Sequence, residues 1–220
     1  MTAPEPGTGY FVGPTDNPGP GVLVLQSWWG LNRATKSICD RLADAGYTTL
    51  APDLADGALP ATTDEARRAL ADADMNAVAS LVQSSARLLR TVTADPAKPI
   101  AVLGYSSGAS WALWLSSRCA DDVGAVVTFY GSQSIPLDAS QSAYQCHFAE
   151  NDDLVTDLEK AELGLTLTEA KLQFEFHHYP GTTQWFAEEG MDGYDGRAEA
   201  IAWRRTLEFL ATELPTGSQG

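Results

Sequence analysis

Short apolar runs alternate with amphipathic segments along this chain, and this alternation predicts strands that are each followed by a helix. The run Gly21–Leu25 is apolar throughout, as in a strand buried on both faces, and residues 32–45 carry apolar side chains at helical spacing. The pattern predicts further strands at residues 10–12, 47–51, 100–103, 124–130, 143–148 and 172–179, and further helices at residues 64–93, 107–117 and 197–213. Such alternation is typical of a mainly parallel sheet with helices on both faces, so the predicted fold class is α/β.

Length and the distribution of Pro and Gly predict the domain organisation. A chain of 220 residues with 44% hydrophobic residues is sufficient for one core, so we predict a single domain over residues 1–220. Residues 1–20 are rich in Pro and Gly and are predicted to form an N-terminal arm, and residues 215–220 are predicted to form a flexible tail.

The charge balance excludes several classes of partner. The chain has 14 Lys and Arg residues against 29 Asp and Glu residues, which gives a formal net charge of -15. Such a surface repels phosphate backbones and anionic lipids, so neither nucleic acid nor membrane is a predicted partner. The N-terminus shows no secretory signal, which predicts a cytoplasmic protein. We expect a monomer or homodimer that takes a small-molecule substrate or ligand. The chain carries no nucleotide-binding or metal-binding motif, so neither cofactor nor metal is predicted.

One motif points directly to chemistry. Gly104, Ser106 and Gly108 form a G-x-S-x-G sequence between a predicted buried strand and a predicted helix. A tight turn at this place raises the Ser106 hydroxyl above the edge of the sheet, at the positive end of the helix dipole. The context therefore predicts a nucleophilic serine on a strand-to-helix turn.

A carboxylate is expected after the next but one strand. When a nucleophilic serine is followed in the chain by an acid and then a histidine, the acid follows a strand at the same edge of the sheet. Glu150, Asp152 and Asp153 follow the predicted strand at residues 143–148, and Asp152 is the best placed. The alternative for Asp152 is a turn or helix-capping role before Leu154 and Val155.

Five segments of the chain follow one another in a recognisable order. They are residues 22–32, which end in Gln-Ser-Trp-Trp-Gly-Leu-Asn, and residues 51–54, 104–108, 147–152 and 179–186. Together they resemble the dienelactone hydrolase family. The resemblance covers about residues 21 to 214 and implies an α/β-hydrolase fold that hydrolyses a lactone or ester through a covalent acyl-enzyme. It places Ser106 at the nucleophile, which is Cys in the founding members, and Asp152 at the acid. It places the backbone N–H groups of Trp28 and Ser107 at the oxyanion hole.

The chain departs from the family pattern at three positions. Gln184 stands in place of the catalytic histidine, Ser27 in place of a glutamate near the nucleophile, and Glu188 in place of an arginine that helps to hold a substrate carboxylate. The last change argues against an anionic dienelactone-type substrate. The residues predicted to line the substrate pocket are Ser27, Trp28, Tyr105, Trp185 and Glu188.

The glutamine at position 184 leaves the function open. A primary amide cannot accept a proton near neutral pH, so ordinary ester hydrolysis is predicted to be very weak. The chain is then an inactivated variant of a hydrolase, or a member that catalyses cyclisation, isomerisation or elimination of an aromatic or polycyclic small molecule. Two further alternatives are a hydrolase in which His177 or His178 is the base, and a ligand-binding pseudoenzyme. If the triad layout survives, the Gln184 amide should lie within hydrogen-bonding reach of Ser106 Oγ.

Overall fold

Seven strands form one sheet in the computed structural model, which describes residues 9–216. They are β1 (Gly9–Val12), β2 (Gly21–Leu25), β3 (Thr48–Pro52), β4 (Ile100–Tyr105), β5 (Val123–Phe129), β6 (Ala143–Asn151) and β7 (Phe174–Thr183). The spatial order is β1-β3-β2-β4-β5-β6-β7, and every neighbouring pair is parallel except β1 with β3. The mainly parallel sheet predicted from the sequence is confirmed.

Six helices cover the two faces of this sheet in the described part of the chain. They are α1 (Arg33–Asp44), α2 (Thr63–Asp72), α3 (Met75–Thr91), α4 (Ser107–Arg118), α5 (Asp157–Glu169) and α6 (Gly196–Glu213). Side chains of α1 and α6 pack into one hydrophobic core, and side chains of α3, α4 and α5 pack into a second core. In β2, Val22 and Val24 belong to the first core while Leu23 and Leu25 belong to the second, because successive side chains point to opposite faces. Burial on both faces explains the unbroken apolar runs.

The prediction of one helix over residues 64–93 is wrong, because two helices occupy this stretch. Ala73 is extended and ends α2, and the side chain of Asp74 then accepts hydrogen bonds from the backbone N–H groups of Asn76 and Ala77 at the start of α3. An aspartate that caps a helix N-terminus competes with continuation of the preceding helix. The stretch is therefore divided at a polar residue that the apolar periodicity did not reveal.

Two further differences concern the C-terminal third of the chain. Helix α5 was not predicted, although Thr156 and Glu159 form a reciprocal capping box at its start, which is a signal visible in the sequence. Strand β7 begins at Phe174 and continues to Thr183, beyond the predicted 172–179. It includes Pro180, which is tolerated because β7 is an edge strand.

The described part of the predicted N-terminal arm contains β1, which confirms the short strand predicted at residues 10–12. Residues 1–8 of the arm and residues 217–220 of the predicted tail lie outside the described residues. Within residues 9–216, no helix is both long enough and apolar enough to span a bilayer.

The sheet brings the functional segments to one edge. Leu25 lies opposite Gly104, and Tyr105 lies opposite Phe129. The residues that follow β2, β4 and β5 are therefore neighbours at the carboxyl edge, where open α/β sheets bind their ligands. This register places Ser106 between the ends of the two adjacent strands.

Candidate active site

Ser106 has a strained backbone at the turn between β4 and α4. Its φ is 50° and its ψ is -114°, a conformation that residues with a side chain rarely adopt. The two flanking glycines make the turn possible, because a Cβ on Gly104 would lie 2.4 Å from the Gly108 carbonyl oxygen, and one on Gly108 would lie 2.1 Å from that of Leu25. The geometry agrees with the turn predicted from the G-x-S-x-G motif.

Gln184 contacts the serine directly. Its Nε2 donates to Ser106 Oγ at 3.1 Å and to the Tyr130 carbonyl oxygen at 3.3 Å, which confirms the predicted approach. A carbonyl oxygen only accepts hydrogen bonds, so this second contact determines that the NH₂ group, and not the amide oxygen, faces Ser106. Gln184 Oε1 is buried and has no hydrogen-bond partner among the described residues. The amide thus donates to the serine and cannot take its proton.

Asp152 lies directly after β6 and has the alternative capping role considered for it. Its Oδ1 accepts from the backbone N–H groups of Leu154 at 2.9 Å and Val155 at 3.0 Å. Its Oδ2 is buried and has no hydrogen-bond partner within residues 9–216. Burial raises the pKa of this carboxyl, and the two N–H groups and Lys160 oppose that rise. One oxygen therefore holds the turn, and the other is available as an acceptor.

Two of the three positions that depart from the family pattern contact each other. Ser27 Oγ donates to Glu188 Oε2 at 2.7 Å, and the Tyr130 hydroxyl donates to Glu188 Oε1 at 2.9 Å. Glu188 is only 1% exposed, and this burial raises its pKa to about 7 although both hydroxyls stabilise the charge. A buried carboxyl thus occupies the position where the family resemblance implies a cation.

Three tryptophans, Trp28, Trp29 and Trp185, pack against one another, and Trp185 directly follows Gln184 in the chain. The Trp185 ring lies 5.9 Å from that of Trp28 and 5.4 Å from that of Trp29, between ring centroids. Trp185 has a φ of 66°, which is strained for a bulky side chain. The indole N–H of each tryptophan is buried without an acceptor in the described part of the chain. The aromatic surface predicted at positions 28 and 185 is therefore present beside the glutamine.

A cavity of about 600 Å³ adjoins the turn. It is lined by Ser27, Trp28 and Ser107 among other residues, so both predicted oxyanion donors border one space. Ser107 is the first residue of α4, and the first N–H groups of a helix have no acceptor within the helix. Trp185 and Glu188 are not among the lining residues. Tyr105 is 3% exposed and stacks on Phe129 with ring centroids 4.6 Å apart, so the structure places it in the core.

The two histidines considered as alternative bases contact other residues. His177 contacts Glu175 at 3.2 Å, and His178 packs on Phe148 with ring centroids 5.5 Å apart. Among the described residues, the side-chain hydrogen bond to Ser106 Oγ comes from Gln184. The structure therefore gives no support to His177 or His178 as the base. No group of three or more His, Cys, Asp or Glu side chains in residues 9–216 is arranged to hold a metal ion.

Sequence reasoning did not identify Tyr130, which both supports Glu188 and accepts from Gln184. Its position directly after β5 is the signal that could have indicated it, because that strand neighbours β4 in the sheet. The sequence also did not indicate a role for Gln26, which is 2% exposed and whose side-chain amide atoms have no hydrogen-bond partner in the described residues.

A strained serine between a buried parallel strand and a helix, with an acid after a later strand of the same sheet, defines an α/β-hydrolase fold. The sequence model of the dienelactone hydrolase family matches residues 8–214, and the chain belongs to this family of hydrolases.

Known proteins agree with this assignment. The chain is 29% identical to the protein usf of Aquifex pyrophilus over 206 residues, which is 89% of each chain. It is 26% identical to the carboxymethylenebutenolidase of Pseudomonas putida over 220 residues, which cover 92% of this chain and 90% of the relative. A solved dienelactone hydrolase-like promiscuous phosphotriesterase from metagenomic libraries has a TM-score of 0.76 at 23% identity, covering 96% of this chain and 99% of that one. The structural match concerns the fold.

Proposed function

We propose that this protein is a slow hydrolase of a small ester or lactone, with Ser106 as its nucleophile. The observation that carries the proposal is the strained Ser106 with Gln184 Nε2 at 3.1 Å from its Oγ. Ser106 has the turn geometry of a nucleophile. Its neighbour at position 184 is a hydrogen-bond donor where the family has a base. The names of carboxymethylenebutenolidase relatives support the reaction class.

Each residue of the site has a distinct part in the proposed reaction. Ser106 Oγ attacks the carbonyl carbon, and the backbone N–H groups of Trp28 and Ser107 stabilise the oxyanion that forms. The C–O bond to the alkoxy group breaks and that group takes up a proton from solvent; water then cleaves the acyl-enzyme and regenerates the serine. Gln184 orients Ser106 through its hydrogen bond, while the serine proton must pass to solvent. Removing a triad base costs about 10⁴-fold to 10⁶-fold in rate, which explains why we expect slow turnover.

The free oxygen of Asp152 supports the proposed hydrolase function. Asp152 Oδ2 has no hydrogen-bond partner in the described residues, and the amide of Gln184 presents only its NH₂ group to Ser106. An imidazole at position 184 would donate from Nδ1 to a carboxylate and accept the serine proton on Nε2. Asp152 follows Asn151, which lies opposite Thr183, the residue before Gln184, so this carboxylate would be the acceptor for an imidazole at position 184.

The test compares the chain with its Gln184→His variant on 4-nitrophenyl acetate. We expect Gln184→His to raise kcat/KM by about 10³-fold or more, because the variant regains a general base. The double variant Gln184→His/Ser106→Ala should lose that gain. Gln173→His, at an exposed glutamine next to β7, is the matched control for an added imidazole and should change nothing.

A folded Gln184→His variant without added hydrolysis would contradict the proposal. Circular dichroism and thermal unfolding would verify that the variant is folded. In that case Gln184 Oε1 and Asp152 Oδ2, which are unpartnered in the described residues, would favour a ligand-binding role without turnover.

A further inference from the structure

The cavity next to Ser107 has a largely apolar wall. It lies between the loop after β3, the helices α2 and α3, and the start of α4. Its apolar lining residues with long side chains are Leu54, Leu70, Met75, Val78, Leu81 and Trp111. A space of about 600 Å³ with this lining is within the usual size range for small-molecule sites.

The charged groups of the lining all have one sign. Asp53, Asp56, Asp72 and Asp74 line the cavity, and among residues 9–216 no Lys, Arg or His belongs to the lining. Asp53 and Asp74 accept hydrogen bonds from backbone N–H groups, and Asp56 and Asp72 are exposed. The arginines of α2 are not part of the lining. A carboxylate that entered this space would be repelled by these side chains, and no cationic side chain of the described lining would offset the repulsion.

The lining also contains neutral polar groups without partners. Both amide atoms of Gln26 and the indole Nε1 of Trp28 are buried and make no hydrogen bond within residues 9–216. Leaving a buried polar group unsatisfied is unfavourable, so a ligand that supplies the missing partners gains affinity. An uncharged ligand with ester, ether or amide oxygens meets this requirement.

We propose that this cavity selects uncharged or cationic, largely apolar substrates and rejects carboxylates. The inference deepens the proposed function, since it places the substrate body in the cavity and its carbonyl group at the N–H groups of Trp28 and Ser107. The buried Glu188 acts in the same direction, because it adds a titratable acid beside the site rather than a cation. The substrate class therefore differs in charge from a lactone that carries a carboxylate.

Binding is measured with the Ser106→Ala variant, so that turnover plays no part. The probes are methyl 4-phenylbutanoate, its para-carboxylate and its para-aminomethyl derivative, titrated at pH 8 and low ionic strength. Trp28 and Trp111 line the cavity and report occupancy through tryptophan fluorescence. We expect the neutral and cationic probes to bind at least about tenfold more tightly than the carboxylate, and added salt to reduce that ratio.

Two charge-matched double variants separate the effect of the cavity charges from the effect of the net charge of the chain. In the Ser106→Ala background, Asp56→Asn/Asp72→Asn removes two lining charges, and asparagine tolerates the positive φ of 49° at position 56. Asp44→Asn/Asp121→Asn removes two exposed charges that precede β3 and β5, at the opposite edge of the sheet. The first pair should improve carboxylate binding about fivefold relative to the neutral probe, and the second should not change this ratio.

Equal affinity for the three probes, tightest binding of the carboxylate, or no saturable binding of any probe would each overturn the inference. So would equal effects of the two charge-matched pairs. The outcome is independent of the hydrolysis test. If Gln184→His fails to restore turnover but the probes rank as expected, the proposed function fails and the selectivity stands. If turnover returns but the probes do not rank as expected, the proposed function stands and the selectivity fails.

Discussion

Two buried glutamines show how differently this molecule treats the same side chain. Gln145 is 1% exposed, and its Nε2 donates to Glu175 at 3.1 Å and to the Arg205 carbonyl oxygen at 3.3 Å, while its Oε1 contacts His147 Nε2 at 3.0 Å. Gln26 is 2% exposed, and neither amide atom has a partner in the described residues. The first belongs to a complete network, and the second borders the cavity beside Ser107.

The complete network also determines the state of its histidine. Gln145 Oε1 can only accept, so the proton of His147 lies on Nε2, and Nδ1 then accepts from the Tyr179 hydroxyl at 2.7 Å. Burial lowers the pKa of His147 well below its usual value, and the nearby His177 and Arg205 act in the same direction. A satisfied network of this kind stabilises the fold, whereas Gln26 lies at the carboxyl edge of the sheet without a hydrogen-bond partner in the described residues.

The largest effect should come from Asp152 once a base is present. In the Gln184→His background, Asp152→Asn should lower kcat/KM by about 10³-fold to 10⁴-fold, because the imidazole loses the carboxylate that orients it and stabilises its charge. Asp153→Asn, at the exposed neighbouring carboxylate, is the control and should have little effect. Equal losses in the two variants would show that Asp152 has no special role.

Glu188 should make stability depend on pH. Its pKa is about 7 in the folded protein and 4.5 as the ordinary value, so the folded state binds the proton more tightly. The stabilisation is complete below pH 4.5 and is lost as the pH rises to 7, by about 3 kcal/mol in total. Glu188→Gln should remove this loss, so urea unfolding at pH 8 should show the variant to be more stable than the parent, with little difference at pH 4.5. A constant difference at both pH values would contradict the prediction.

Replacement by leucine should destabilise the protein at Gln145 but not at Gln26. Gln145→Leu should lower the free energy of unfolding by about 1–3 kcal/mol, because His147 and Glu175 lose a partner. Gln26→Leu should leave it unchanged or raise it by up to about 1 kcal/mol, because no hydrogen bond is lost. Probe binding should weaken only in Gln26→Leu. Chemical unfolding and the fluorescence titration measure the two effects, and parallel changes in both variants would remove the distinction.

The smallest effect is expected from Tyr179→Phe. It removes the hydroxyl that donates to His147 Nδ1 and should lower the free energy of unfolding by about 1 kcal/mol. Catalysis in the Gln184→His background should be unchanged, because the side chains of this network make no hydrogen bond to Ser106 or Gln184 in the described residues. A loss of turnover at full stability would show that the two regions are coupled.

Much of the candidate site was predictable because local rules determine it. The G-x-S-x-G turn needs small residues beside Ser106, and the approach of position 184 followed from the order of the family's segments. The missed helix α5 was also locally encoded, in its capping box. The predicted single helix over residues 64–93 failed because the capping contacts of Asp74 outweigh the apolar periodicity that continues through it.

The sequence by itself determined the α/β class, the parallel sheet, the family and the strand-to-helix turn at Ser106. Only the tertiary structure decided that Ser27 and Glu188, which are 161 positions apart, form one hydrogen bond, and that Tyr130 joins them. It also decided which buried glutamine is satisfied. Strand periodicity and turn chemistry are properties of neighbouring residues, whereas burial and hydrogen-bond partners depend on segments that meet only when the sheet assembles.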